Sequence, residues 1–159
     1  MLEKVKSADF SYIYNLYMHP EVNPYLLYEL MDEEIFQPIF IDLIKEEVLF
    51  LYKNGNENIG MCKLIRHKHR DEHKLYIGGV AIHPDYFRKG FGKKMMLEIS
   101  DFCSKTGVLR IELSVATHNQ KAIELYESVG FEKEGVMKKF TYLKSENQFI
   151  DEVLMSKLL

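Results

Sequence analysis

Leu75 to Ile82 is a near-continuous apolar run that carries two adjacent glycines, Gly78 and Gly79, and stops at His83-Pro84. A strand with so little alternation is buried on both faces. Its two glycines offer the alternative of a strand crowded by another backbone. Just downstream, Gly90-Phe91-Gly92 opens the segment Lys93 to Ser104. There Met96, Ile99 and Cys103 recur on one side, with Met95 and Phe102 beside them, which is the spacing of an amphipathic helix. A buried strand that passes through a short loop into a helix mouth belongs to a sheet with helices packed on it.

The flanking segments extend that pattern. Leu2 to Lys6 alternates as a first strand. Ser7 is placed to cap a helix carrying Phe10, Ile13, Tyr14 and Tyr17, which ends at His19-Pro20. Glu21 to Lys45 holds Pro24 and Pro38 and reads as one or two short helices. Val48 to Lys53 and Ile59 to Arg66 flank the turn signal Asn54-Gly55-Asn56, which predicts a hairpin. His67 to Lys74 is a polar connection. After the central helix, Thr106-Gly107 is a stop, and Leu109, Ile111, Leu113 and Val115 alternate as a strand. Asn119 to Val129 is helical and Gly130 ends it; two strands around Lys144 to Asn147 complete the chain. The expected fold is α/β (α+β), with helices on both faces of one sheet.

The chain of 159 residues corresponds to a single domain, residues 1–159. It holds 21 Lys+Arg against 24 Asp+Glu, a net charge of −3, so no bulk nucleic-acid binder is expected. There are 2 cysteines, Cys62 and Cys103, without CxxC spacing; they are expected as buried thiols rather than a disulfide framework. No run approaches the ~18 apolar residues of a membrane span, and the N-terminus lacks the pattern of a signal peptide. A soluble cytoplasmic protein is therefore expected. His67 and His69 would share one side of a strand as metal ligands, but no third ligand stands in register, so no metal is expected.

The chemistry lies in the glycine segment. A helix N-terminus presents unpaired N–H groups and partial positive charge. Arg88, Lys89, Lys93 and Lys94 concentrate cations there in a net-negative chain. Together these features describe an anion cradle, most naturally for phosphate. A Walker A loop fails, because Phe87 stands at the first Gly position and Lys94 at the Ser/Thr position. A dinucleotide fingerprint fails at Met95, where the third Gly belongs. A glycine turn that binds nothing stays open beside the cradle. In the later helix, Asn119, Ala122 and Tyr126 share a face. Asn119 reads as an N-cap. Tyr126 reads either as a core aromatic or as a proton donor, since a phenol with a pKa near ~10 stays protonated at neutral pH.

Two segments, Phe87-Arg88-Lys89-Gly90-Phe91-Gly92 and Asn119, Ala122, Tyr126, Gly130, Phe131 in the order NxxAxxxYxxxGF, carry a resemblance. The chain resembles the GNAT superfamily of N-acetyltransferases over roughly residues 48–155. Its tail is most similar to the bacterial branch acting on small amines, amino acids or protein N-termini. The resemblance implies a mixed, mostly antiparallel sheet of six to seven strands. It implies acetyl-CoA as cosubstrate and direct acetyl transfer to a primary amine, either a small molecule or a peptide. Main-chain groups of Val80 and Ile82 would pair with the pantetheine arm, and residues Arg88 to Lys93 (Arg88, Lys89, Gly90, Phe91, Gly92, Lys93) would hold the diphosphate. Asn119 would contact the cofactor, and Tyr126 would be the acid for the departing thiolate.

Relatives are often homodimers. Two other readings share these residues: an acyl-CoA-binding sensor without turnover, and a protein lysine acetyltransferase. Phe87 replaces the Gln/Arg that opens the family loop, and Tyr76-Ile77-Gly78-Gly79 lacks the acid many relatives carry there. The base is thus unassigned among His83, Asp85 and His118. The acidic residues Asp32, Glu33, Glu34, Glu46 and Glu47 are expected as a solvated helix face.

Overall fold

The computed structural model describes residues 1–159. The elements follow in the order β1 (Leu2–Lys4), α1 (Phe10–Met18), α2 (Asn23–Leu26), α3 (Glu33–Lys45), β2 (Leu49–Asn54), β3 (Glu57–Arg66) and β4 (Lys74–Ile82). Then come α4 (Phe91–Lys105), β5 (Arg110–Ala116), α5 (Gln120–Glu127), β6 (Glu132–Leu143) and β7 (Gln148–Leu158). The 7-stranded sheet has the order β1-β2-β3-β4-β5-β7-β6. Every pairing is antiparallel except β4 with β5. A parallel pair needs a crossover, and α4 supplies it.

Each face of the sheet carries its own core. On one face Met95, Met96, Ile99 and Cys103 of α4 and Ile123 and Tyr126 of α5 pack on Ile77, Ile111, Leu113 and Met155. On the other, Ile13, Leu16 and Tyr17 of α1 and Phe36 and Phe40 of α3 pack on Leu49, Leu51 and Met61. The helical and alternating periodicities of the sequence sort these residues to the two sides. Cys62 and Cys103 are free, buried thiols; burial pushes the Cys103 thiol up to about 11, so it stays protonated. No helix is long and apolar enough to cross a membrane.

Three expectations are corrected. Ser7 does not cap α1: residues Ser7–Asp9 form a 3-10 turn, and the Asp9 carboxylate accepts from the Lys6 N–H at 2.8 Å. Pro38 does not break the chain but lies inside the 13-residue α3. Its missing N–H leaves the Glu34 carbonyl without a helical partner. Both residues are exposed, so that carbonyl is open to solvent while burial of Phe36 and Phe40 holds the helix. His67 and His69 do not lie on a strand: β3 ends at Arg66, and His69 begins a 3-10 turn. Of the acidic residues, Asp32, Glu33 and Glu34 lie at the start of α3, whereas Glu46 and Glu47 follow its end. They are exposed but do not form one cluster.

The edge of the sheet is fastened by charge. Arg110 on β5 donates from Nη1 to Glu134 Oε1 on β6 at 2.8 Å and from Nε to Glu112 Oε1 at 2.6 Å, and Ser156 Oγ donates to Glu134 at 2.6 Å. The Arg110 guanidinium, and then the Ser156 hydroxyl, hold the Glu134 carboxyl down at about 2. Its stabilising contribution is therefore present above the ordinary carboxylate range, near ~4.3, and is lost as pH falls through about 2. Glu134→Gln is expected to lower the Tm at pH 7 and to converge with the parent protein near pH 2, as read by thermal unfolding across that range. A second expectation concerns Gly60, where a Cβ would collide with the Ala81 carbonyl oxygen and come within 3.1 Å of Ile82 Cα. Both obstacles are backbone, so Gly60→Ala forces two strands apart. A loss of ~1–3 kcal/mol, seen as a Tm lowered by several degrees, is expected.

Candidate active site

The site begins with a fault in β4. Leu75 and Ile77 face the α4–α5 core, and so do Val80 and Ile82, although their parity is opposite. Unbroken alternation would put them on the other face, so one extra residue is inserted between. It lies at Gly78-Gly79: the pairing with β3 jumps from Met61↔Ala81 to Lys63↔Gly78. Gly79 adopts φ 55°, a left-handed conformation that glycine takes without penalty. This is a β-bulge, and bulges bend a strand.

The bend separates β4 from β5. Their parallel pairing covers Lys74 to Ile77 against Arg110 to Leu113 and ends there. β5 continues to Ala116 but pairs on its other side with β7. Residues 78–82 of β4 therefore keep free N–H and C=O groups along the edge that faces the gap. The strand departs from its neighbour at Gly78-Gly79.

A groove of ≈ 770 Å³ occupies the gap, with Val80 and Ile82 on one wall and Asn119, Ala122 and Tyr126 on the other. The mouth of α4 closes one end. Gly90 precedes the helix with φ 78°, and a Cβ there would meet nothing within 4 Å. The main chain is thus open to the groove where first-turn N–H groups of Phe91, Gly92 and Lys93 lack helical acceptors. Gly92 lets the helix approach α5, since a Cβ there would sit 3.2 Å from Leu125 Cδ2. Arg88, Lys89, Lys93 and Lys94 are exposed around the mouth. Lys89 lies 5.5 Å from the Tyr86 ring centre and Lys94 5.3 Å from that of Phe91. None of the four forms an ion pair. The arrangement can hold a polyanion by main-chain donors and cationic rim charges.

Asn119 caps α5, its Oδ1 accepting from the Ala122 N–H at 3.3 Å. Two turns on, Tyr126 is 8% exposed and tilts against Phe131 with ring centres 6.0 Å apart. Burial, and then the neighbouring Tyr76, push its phenol well above the usual range. It is both a core aromatic and a wall of the groove, so the two sequence readings of Tyr126 are compatible. Behind it lies a second cavity of ≈ 310 Å³ that shares Tyr25, Val80, Asn119, Ala122 and Tyr126 with the groove. The two spaces meet at Tyr126.

The segment between α1 and α3 roofs the second cavity. Buried Asn23 donates from Nδ2 to the carbonyls of Tyr17 at 2.9 Å and Tyr28 at 3.1 Å, which fixes the turn that presents Tyr25 to Tyr28 to the cavity. The Glu29 carboxylate then accepts from the Lys144 N–H at 2.6 Å and ties this turn to the β6–β7 connection.

His83, Asp85 and His118 line neither space. The His83 ring accepts from the Asp85 N–H at 3.3 Å and lies 6.3 Å from the Tyr12 ring and 6.2 Å from the Tyr86 ring, as a loop residue. Two side chains not singled out in the sequence do line the second cavity, Lys63 from β3 and Glu152 from β7. Their only sequence signal is a charged residue in a strand, which ordinarily marks the solvent face.

Comparison with known proteins finds relatives of the whole fold. The alanine N-acetyltransferase for ribosomal protein bS18 of Escherichia coli (strain K12) is 36% identical over 70 residues; the match spans 44% of this chain and 46% of that protein, about half of each. Spermidine N(1)-acetyltransferase of Vibrio cholerae is 27% identical over 167 residues, spanning 99% of this chain and 94% of that protein. The crystal structure of spermidine N-acetyltransferase from Vibrio cholerae in complex with CoA and spermine superposes with a TM-score of 0.84 at 22% identity, over 99% of this chain and 94% of that one. The fold is shared at that level. The model of the acetyltransferase (GNAT) family matches residues 8–131, most of the domain, and the chain belongs to that family.

Proposed function

We propose that the protein is an N-acetyltransferase that moves the acetyl group of acetyl-CoA to a primary amine by direct attack. The observation that carries this reading is the unpaired edge of β4, lying between a helix mouth that can hold a diphosphate and a buried phenol. Amide groups of a pantetheine arm complement the free N–H and C=O groups near Val80 and Ile82, as an added strand would. The main chain of residues 88–93, with Arg88, Lys89 and Lys93 at the rim, takes the diphosphate. Asn119 and Ala122 form the wall opposite the arm, where small Ala122 leaves room for it.

With the arm so placed, the thioester lies where the two cavities meet. The acceptor nitrogen enters from the second cavity and bonds to the carbonyl carbon as the carbon–sulfur bond breaks. The acceptor, an ammonium at neutral pH, first gives one proton to water so that its nitrogen carries a free lone pair. As the bond forms, Tyr126 donates its proton to the departing thiolate, the nitrogen releases its second proton to water, and water reprotonates the phenolate. Burial keeps the phenol protonated well beyond neutral pH, so its proton is in place when the thiolate departs. Holding amine and thioester together supplies much of the acceleration. The buried thiols of Cys62 and Cys103 line neither space, which favours direct transfer over a thiol-bound acetyl.

The test starts with binding. Free CoA at about 100 times its Kd stabilises the native state by ~2.7 kcal/mol, which for a domain of this size raises the Tm by roughly 5–10 °C. No shift at millimolar CoA would remove the reading. Turnover is then followed as thiol release with a panel of amines. Tyr126→Phe is expected to slow kcat by ~10²–10⁴ while the CoA-induced shift persists; an unchanged kcat would strip the phenol of its role. CoA binding without thiol release from any amine would identify a sensor instead.

A further inference from the structure

The second cavity carries two charges that do not answer each other. Glu152 on β7 is 5% exposed. One oxygen, Oε1, accepts from the Thr141 hydroxyl at 2.5 Å, and the other has no protein partner. No cation lies within ion-pair distance of the carboxylate. Lys63 on β3 lays its chain over the bulge, its Cε 3.4 Å from where a Cβ on Gly78 would stand and 3.2 Å from one on Gly79. Its ammonium is 5.9 Å from the Tyr28 ring centre and also lacks an ion pair. A buried ion without a counter-ion is costly unless a ligand supplies one.

β3 and β7 are three strand spacings apart in the sheet, which is more than ~14 Å at the backbone because β4 and β5 part between them. Lys63 reaches inward over β4, and Glu152 points into the same cavity. Both side chains line one cavity without pairing with each other, so a molecule with two opposite charges of its own can answer both. A plain cationic amine would satisfy Glu152 and be repelled by Lys63. We propose that the acceptor is a small amino carboxylate, with Glu152 receiving its ammonium end and Lys63 its carboxylate. This rests on the transferase reading above and names the substrate class for that site. Both residues position the acceptor; Tyr126 remains the group at the reacting sulfur.

The experiment compares pairs of acceptors that differ by one carboxylate. The common L-amino acids, 4-aminobutanoate and 6-aminohexanoate are each set against the amine that lacks the carboxylate, with spermidine and an alanine-initiated peptide alongside. Binding to CoA-loaded protein is read by calorimetry and turnover by thiol release. At least one amino carboxylate is expected to exceed its decarboxylated partner by about 10–100-fold in affinity and in kcat/KM, the effect of one charged hydrogen-bonded contact. Lys63→Met keeps the stem over the bulge and should collapse that preference toward unity through KM, with kcat little altered. Glu152→Gln keeps the bond from Thr141 and should raise KM for the amino carboxylate and its partner alike, while the CoA-induced Tm shift is retained. Preference for spermidine, simple alkylamines or the peptide would overturn the proposal, as would an unchanged preference in Lys63→Met. Loss of all turnover with amino-carboxylate binding intact would instead strike the transferase reading, because binding is measured independently of chemistry.

Discussion

The site depends on one extra residue in β4. At Gly78-Gly79 the strand gains a residue over its antiparallel partner, and its hydrogen bonds to β5 cease at Ile77. A buried sheet rarely tolerates unpaired backbone groups. Here they face a groove that solvent or a ligand can fill. The opening needs no moving part: it is held apart by α4 and α5, which pack on the same core below it. The left-handed φ of Gly79 is the local condition for all of this.

The two faces of the sheet divide the labour. The α4–α5 face brings the helix mouth and Tyr126 to the groove, so the open N–H groups and the phenol belong to one packed layer. The α1–α3 face contributes the roof of the second cavity, with Asn23 fixing the turn and Glu29 tying it to the β6–β7 connection. Residues that line the two spaces therefore come from opposite layers and meet where β4 and β5 part. Tyr126, Asn119, Ala122 and Val80 border both spaces for that reason.

Elements set by local rules were legible in the chain. The hairpin at Asn54-Gly55-Asn56, the α4 stripe of Met96, Ile99 and Cys103, and the alternation from Leu109 to Val115 all lie where periodicity put them. Asn119 caps its helix as its type and position imply. Pro38 was misleading because the rule that proline stops a helix is statistical: on an exposed face, one lost hydrogen bond is outweighed by burial of Phe36 and Phe40. His83 and Asp85 are candidate bases that read more readily as loop or capping residues, and their ring and main-chain contacts hold them in the loop, off both cavity walls.

By itself the sequence determined the sheet-and-helix alternation, the glycine-flanked helix mouth and the shared face of Asn119, Ala122 and Tyr126, because each arises from neighbours a few residues apart. Only the tertiary structure decided that Glu152 is buried and that Lys63 crosses the bulge. In sequence each is a charged residue in a strand, and such a residue ordinarily faces water. β7 enters the sheet between β5 and β6, and β3 lies beside the distorted part of β4. Those pairings join segments distant along the chain, so no local pattern of residues reports them.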